Sequence, residues 1–200
     1  MKNWIMTYSG KPIQPLDPAP GDILIEDVAH ALAMTCRWAG HCHTYYSVAE
    51  HSVRVSEVCG NLARALRYPS YQVTELEMLG LMHDATEAYL GDIPRPLKSQ
   101  FKLETPRGLE TFRVAEDHLY RVIEVGLGLP VLTDEYEKIV KQADNILLST
   151  EARDVAHNQS LDHEEDRQEP LAAEIDPLHW KAARKIFMLR YADLRNKVLQ

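Results

Sequence analysis

The sequence predicts an all-α protein: a helical bundle forming one domain, preceded by a short β-hairpin. Three observations lead there. Apolar residues recur at three-to-four spacing through six separate segments. Capping and breaking residues stand between those segments. Strand-type residues flanking a turn are confined to the first two dozen positions. A chain of 200 residues suits a single domain, and at that size roughly 70% of the unfolded surface can be buried.

The hairpin is expected over Met6-Thr7-Tyr8-Ser9-Gly10-Lys11-Pro12-Ile13, around the Ser-Gly turn signal. Pro12, Pro15, Pro18 and Pro20 bar regular helix until about Asp22, so residues 1–21 form a lead-in. The core is expected over residues 22–157. Val28, Ala29, Leu32, Ala33 and Cys36 mark its first helix, with Gly40 as the stop. A second helix starts after Ser47 and runs to about Tyr68, with Val48, Val55, Val58, Leu62 and Leu66 on its apolar face. A third covers about Thr74 to Leu90, opened by a Thr74/Glu77 capping box and closed by Gly91.

Ile93 to Pro106 carries three prolines and reads as a surface loop. Helices follow over about Leu109–Val125 and Thr133–Val155. Residues 158–176 read as an exposed acidic loop. The last helix, from about Pro177 within 177–200, presents Trp180, Ala183, Ile186, Phe187 and Tyr191 as a core-facing stripe. His30 and His118 lie in helical apolar patterns and read as core or interface residues.

Composition bounds the partners. Net charge is −8 with no lysine or arginine run, which disfavours polymeric nucleic acid but leaves a small phosphorylated substrate open. No apolar run approaches the ~20 residues that span a bilayer, and the N-terminus lacks a signal-type apolar stretch, so no membrane partner and a cytoplasmic location are expected. Cys36, Cys42 and Cys59 do not suggest a disulfide framework.

The densest chemical signal is Leu81-Met82-His83-Asp84-Ala85-Thr86-Glu87-Ala88-Tyr89-Leu90-Gly91-Asp92. On a continuous helix Glu87 shares a face with His83 and Asp84. His83 and Asp84 are themselves ~100° apart, so they converge on one ion only where the helix passes close beside it. Met78, Leu79, Leu81 and Met82 precede the pair, which therefore emerges from a buried segment. Burying such groups unpartnered would cost several kcal/mol, and a shared cation removes that cost. His51 and Asp144 lie on two other expected helices, Asp144 within a largely apolar run. Singly, each reads as a surface or hydrogen-bonded residue.

The order His51, His83-Asp84, Asp144 resembles the H…HD…D pattern of the HD-domain phosphohydrolase superfamily. The similarity is greater to its small 5′-deoxynucleotidases and to the related phage deoxynucleoside triphosphate (dATP) hydrolases. It rests on Cys36-Arg37-Trp38-Ala39-Gly40-His41, Tyr45 to His51, Leu81 to Asp92 and Ile93-Pro94-Arg95-Pro96-Leu97-Lys98, and it fades after about Asp154. The resemblance implies an all-α HD fold and one divalent transition metal (Co, Mn, Zn or Fe) on His51, His83, Asp84 and Asp144. It also implies a catalytic carboxylate at Glu87 and a second acidic position at Asp92. In the triphosphatase relatives both bind additional divalent ions. The competing readings are an exposed helix carboxylate for Glu87 and a turn or cap for Asp92.

Arg37 and Lys98 are candidates for binding phosphate, Trp38 for stacking on a nucleobase, and His41 for approaching phosphate or sugar. Their bland alternatives are surface cations, packing and a structural hydrogen bond. The expected activity is hydrolysis of a small-molecule nucleotide, of 5′-deoxynucleotidase type, with a deoxynucleoside triphosphate hydrolase as the alternative. A cyclic nucleotide or guanosine polyphosphate would require signature residues around the His-Asp pair that are not present. A non-enzymatic, zinc-stabilised protein would use Cys36, His41, Cys42 and His43, which lack a C-x-x-C pair and would strain tetrahedral geometry. The apolar C-terminal helix leaves a homo-oligomer open as an alternative to burial in the core.

Overall fold

The computed structural model describes residues 3–156 and 168–198. Its first element is the expected hairpin, with β1 (Ile5–Met6) antiparallel to β2 (Pro12–Ile13) and Ile5 opposite Ile13. The turn uses Gly10 at φ +83°, a conformation glycine adopts without steric cost. The hairpin is tied to α1 (Ile25–Met34) by buried Asp27, whose carboxylate accepts the Ser9 N–H at 2.6 Å and the Ser9 hydroxyl at 2.9 Å. His30, on the same helix, stacks against Tyr8 with ring centroids 3.9 Å apart.

Helix α1 ends at Met34, short of Gly40, because the chain is captured by other backbone partners. Cys36 pairs with Ser47, and the Arg37 N–H donates to the Tyr46 carbonyl at 2.9 Å. The connecting turn places Trp38 (φ 57°), Ala39 (φ 49°) and Gly40 (φ 80°) in succession in the left-handed region. For the two non-glycine residues this is a strained conformation.

Helix α2 (Val48–Ala65) starts where expected, capped by the Ser47 hydroxyl accepting the Glu50 N–H. It stops before Leu66, which is exposed and does not join the apolar face. Helix α3 (Ser70–Met82) begins one turn earlier than its capping-box signal predicts, entered from Pro69. Thr74 lies inside the helix with its hydroxyl on the Ser70 carbonyl, and Glu77 is buried against Arg64 and Arg190. The third helix is also not continuous to Leu90. After Met82 the bonds Ala85 N–H to Met82, Glu87 N–H to Asp84 and Ala88 N–H to Ala85 tighten the winding, and α4 (Glu87–Leu90) follows. Gly91 terminates it at φ 79°.

The stretch expected to be a loop carries structure. It contains α5 (Arg95–Lys98) and β3 (Lys102–Thr105), which pairs antiparallel with β4 (Gly108–Thr111) just beyond it in a second hairpin. The Thr105 hydroxyl closes the turn, donating to the Gly108 carbonyl and accepting the Arg107 N–H. The following α6 (Phe112–Leu127) therefore starts three residues later than predicted, capped by Thr111. Helix α7 (Asp134–Asp154) lies where expected and is capped by Thr133, and α8 (Trp180–Val198) closes the described chain. Residues 158–167 of the expected acidic loop lie outside the described residues; Gln168 to Asp176 hold no helix or strand.

Helix α2 is central, packing on α3, α7 and α8. One apolar cluster joins α1, α2, α3 and α8 through Leu32, Val48, Met78, Leu81 and Phe187, and a second joins α2, α3 and α7 through Val55, Leu76, Leu79 and Leu147. Of the α8 stripe, Ala183 and Phe187 are fully buried, while Trp180, Ile186 and Tyr191 are half-buried. Helices α2 and α3 meet at Gly80, where an added Cβ would lie 2.7 Å from Cys59 Sγ and 3.1 Å from the Ser56 Cα. That close approach brings the end of α3 beside His51. Among the described residues no helix is long and apolar enough to cross a membrane.

Candidate metal centre and active site

Four side chains from three parts of the fold converge. α2 supplies His51, fully buried; the tightened turn after α3 supplies His83 and Asp84; α7 supplies Asp144. His51 Nε2 lies 3.3 Å from His83 Nε2, 3.4 Å from Asp144 Oδ1 and 3.6 Å from Asp84 Oδ2. His83 Nε2 lies 3.2 Å from Asp84 Oδ2 and 4.0 Å from Asp144 Oδ1. The change to i−3 bonding after Met82 is what lets consecutive residues address one point.

The tautomers follow from the outer nitrogens. His51 Nδ1 faces Glu151 Oε1 at 2.5 Å, and His83 Nδ1 faces the Gly80 carbonyl at 2.9 Å. Each acceptor calls for the proton on Nδ1, leaving the Nε2 lone pairs turned toward one another. Two such lone pairs at 3.3 Å repel unless a proton or a metal ion stands between them. Two nitrogens each ~2.05 Å from a tetrahedral ion stand about 3.3 Å apart, so the donor set fits a divalent transition metal. His51, His83 and Asp144 present ligand atoms all within 4.8 Å of one another, the only such His/Cys/Asp/Glu group among the described residues. Cys36, Cys42, His41 and His43 form none, which leaves the zinc-stabilised alternative without support.

Charge at the site is strongly organised. Burial and Arg37 push the His51 imidazolium down, but Glu151 and Asp144 outweigh them and raise it to about 9. Against burial, His83, His51 and Arg37 hold the Asp84 carboxyl below its ordinary range, and His51 and His83 do the same for Asp144. Glu87 goes the other way: burial, then Asp84 and Asp92, push it well above the carboxylate range. Two carboxyl groups three residues apart are thereby driven to opposite protonation states.

Glu87 is buried at the start of α4, with Oε1 3.6 Å from Lys98 Nζ and Oε2 without a hydrogen-bond partner. Lys98 also contacts Glu116 at 2.9 Å, so it is an anchored, mostly buried cation. Asp92 is half-buried, its carboxyl raised by burial and then, net of Arg37, by Asp84. Arg37 donates from Nε to Glu151 at 3.0 Å and from NH1 to Asp84 at 3.4 Å, joining the ligand cluster directly. Trp38 is half-buried in the strained turn, its indole Nε1–H without a partner. His41 is exposed at the end of the same turn.

His83, Asp84 and Asp144 form part of the wall of a cleft of about 840 Å³. Lys98 and Lys141 line it as well. Arg95 and Lys141 stand 3.7 and 3.8 Å from Asp144 Oδ2. Sequence reasoning missed Glu151, Glu116 and Arg95. For Glu151 the signal was available: seven residues after Asp144 on one helix places both on the same face.

The YfbR-like 5′-deoxynucleotidase family matches the chain over residues 27–193, continuing into α8 well past the point where the motif resemblance fades. The uncharacterized protein YfdR of Escherichia coli is 37% identical over 153 residues, covering 76% of this chain and 72% of that one. An uncharacterized protein of Rhodobacter capsulatus is 35% identical over 156 residues, covering 76% and 73%. The solved HD phosphohydrolase DatZ of cyanophage S-2L, bound to dA and one catalytic Zn²⁺ ion, is 16% identical, covers 86% of this chain and 90% of its own, and gives a TM-score of 0.49. The chain belongs to the YfbR-like 5′-deoxynucleotidase family and is a hydrolase acting on nucleotide phosphate bonds.

Proposed function

We propose that the protein removes the 5′-phosphate from deoxynucleoside monophosphates, giving a deoxynucleoside and orthophosphate. One observation carries the reading: two imidazoles with occupied Nδ1 atoms hold their Nε2 atoms 3.3 Å apart, flanked by Asp84 and Asp144, at the wall of a cleft. Membership of a family named for this activity supports it. His51, His83, Asp84 and Asp144 would hold Co, Mn, Zn or Fe, which when bound neutralises phosphate charge and acidifies a water.

The remaining chemistry falls to the protein's own groups. Hydrolysis of the ester joins a water oxygen to phosphorus and breaks the bond to the 5′-oxygen, which leaves needing a proton. Burial pushes the Glu87 carboxyl well up from its ordinary range and its Oε2 is unengaged, so it is assigned as the general acid. Lys98 then offsets the carboxylate that remains, 3.6 Å away, and can also meet a phosphate oxygen. Arg37 would aid phosphate binding from its position against Asp84. Trp38 is assigned to the base, His41 to phosphate or sugar, and Asp92 to the sugar.

A second reading, hydrolysis of deoxynucleoside triphosphates, draws on a specific observation. Lys98, Arg95 and Lys141 bring three cations near the metal ligands, more than one phosphate needs. Glu87 and Asp92 would then hold additional divalent ions.

The test is product analysis after incubating Co²⁺-, Mn²⁺- or Zn²⁺-loaded protein with deoxy- and ribonucleoside mono- and triphosphates, with Asp84→Ala as the blank. Orthophosphate from deoxynucleoside monophosphates alone supports the first reading. Turnover of triphosphates alone supports the second, and no turnover of any nucleotide refutes both.

A further inference from the structure

Glu151 is a carboxylate with no exposure at all, so it touches neither substrate nor solvent. Its two oxygens serve two different donors. Oε1 faces His51 Nδ1 at 2.5 Å, and Oε2 accepts from Arg37 Nε at 3.0 Å. Arg37 in turn reaches Asp84 Oδ2 from NH1 at 3.4 Å. The path His51–Glu151–Arg37–Asp84 thus joins two of the metal-facing residues through two that do not face the metal. Glu151 stands two turns beyond Asp144 on α7, so the helix that presents one ligand also carries the group that aims another.

We infer that Glu151 is a positioning residue of the metal centre: it fixes His51 in the Nδ1–H tautomer and, through Arg37, holds Asp84 in place. The inference rests on the reading of His51, His83, Asp84 and Asp144 as metal ligands. An ionised acceptor at Nδ1 keeps the lone pair on Nε2 and raises its basicity, the usual service of an outer partner to a ligating imidazole. Only a carboxylate can satisfy both neighbours, since both donate. An amide of the same shape brings one acceptor oxygen and one N–H₂; Arg37 can only donate, so the oxygen stays with Arg37 and the N–H₂ meets His51 Nδ1, which must then give up its proton to accept.

The experiment compares wild type with Glu151→Gln, using Co²⁺ alone as the probe and a chromophoric chelator as competitor. Zn²⁺-loaded, ¹⁵N-histidine-labelled samples then report the His51 tautomer by NMR. The expected result is Co²⁺ binding weakened by roughly 10–100-fold, with loss of the His51 Nδ1–H signal. If Glu151→Gln does not fold, Glu151→Asp keeps the charge, withdraws the carboxylate and is read by the same two measurements. Co²⁺ affinity within about threefold of wild type, or weakened binding with the tautomer unchanged, overturns the role assigned to Glu151. Failure of the wild-type protein to bind Co²⁺ instead overturns the metal-site reading on which it rests.

Discussion

Stripping the metal with a chelator should reverse the way stability responds to pH, and the size of the effect follows from His51. Its pKa in the folded chain is about 9, against about 6.5 unfolded. A histidine raised on folding contributes stability that is complete below pH 6.5 and disappears as pH rises through 9. At about 1.4 kcal/mol per pH unit the contribution is roughly 3 kcal/mol, or about 6–12 °C of melting temperature for a chain of this length. Glu87, also raised, acts in the same direction, while His30, lowered by burial, has completed its opposite contribution by about pH 6.5. Asp84, Asp144 and Glu151 are depressed, so their contribution is present above about pH 4.5 and is lost in acid. Metal-loaded protein behaves differently, because the cation competes with the His51 proton and binds more tightly as pH rises. The assay is calorimetric melting at pH 6.5, 7.5 and 9, with chelator and with Zn²⁺. The stripped protein should lose stability across that range while the difference between loaded and stripped protein widens. A flat or rising profile for the stripped protein would refute the charge assignment of the His51 cluster.

Three further outcomes are expected. Glu87→Gln should lower kcat by about 10²–10⁴-fold, as loss of a general acid does, with Co²⁺ affinity measured by chelator competition unchanged within about threefold. Gly80→Ala should push α2 and α3 apart at Cys59 and Ser56. Overpacking of about 1–3 kcal/mol is partly offset by about 1 kcal/mol of helix propensity, and metal affinity should fall because the Gly80 carbonyl anchors His83; urea unfolding and Co²⁺ titration read the two effects. Arg190→Met should remove a clamp from α8 to Glu77 and Ser56, costing about 1–3 kcal/mol in denaturant unfolding, with the Co²⁺ dissociation constant unmoved.

Much of the helical framework was legible because periodicity and caps are local signals. The helices expected to start after Ser47 and at about Thr133 do so, each capped by that residue, and Gly91 ends α4. The proposed ligand set was legible only as an ordered pattern: His51 and Asp144 read singly as surface or hydrogen-bonded residues, and the sequence His51, His83-Asp84, Asp144 is what marked them together. The structure brings the four expected metal-facing residues together. What stayed hidden was imposed by tertiary contacts. α1 stops early because Cys36 and Arg37 pair with the strand-like segment before α2. The break after Met82 has no glycine or proline to announce it, since Ala85, Thr86 and Glu87 all tolerate helix. β3 and β4 repeat Leu-Glu-Thr around a Pro-Arg-Gly turn, but the prolines made β3 read as part of a loop and Leu109 to Thr111 read as the start of a helix. For Glu151 the heptad spacing from Asp144 was readable, but its partners were not: Arg37 and His51 converge on it only in the fold.

The most direct test of the central claim is anomalous diffraction from crystals of the Co²⁺-loaded protein grown with a deoxynucleoside monophosphate. The account predicts one strong cobalt peak about 2.0–2.2 Å from His51 Nε2, His83 Nε2 and the carboxylates of Asp84 and Asp144, with the phosphate on its cleft side near Lys98. A peak at Cys36 and Cys42, or a nucleotide bound away from the four ligands, would contradict it.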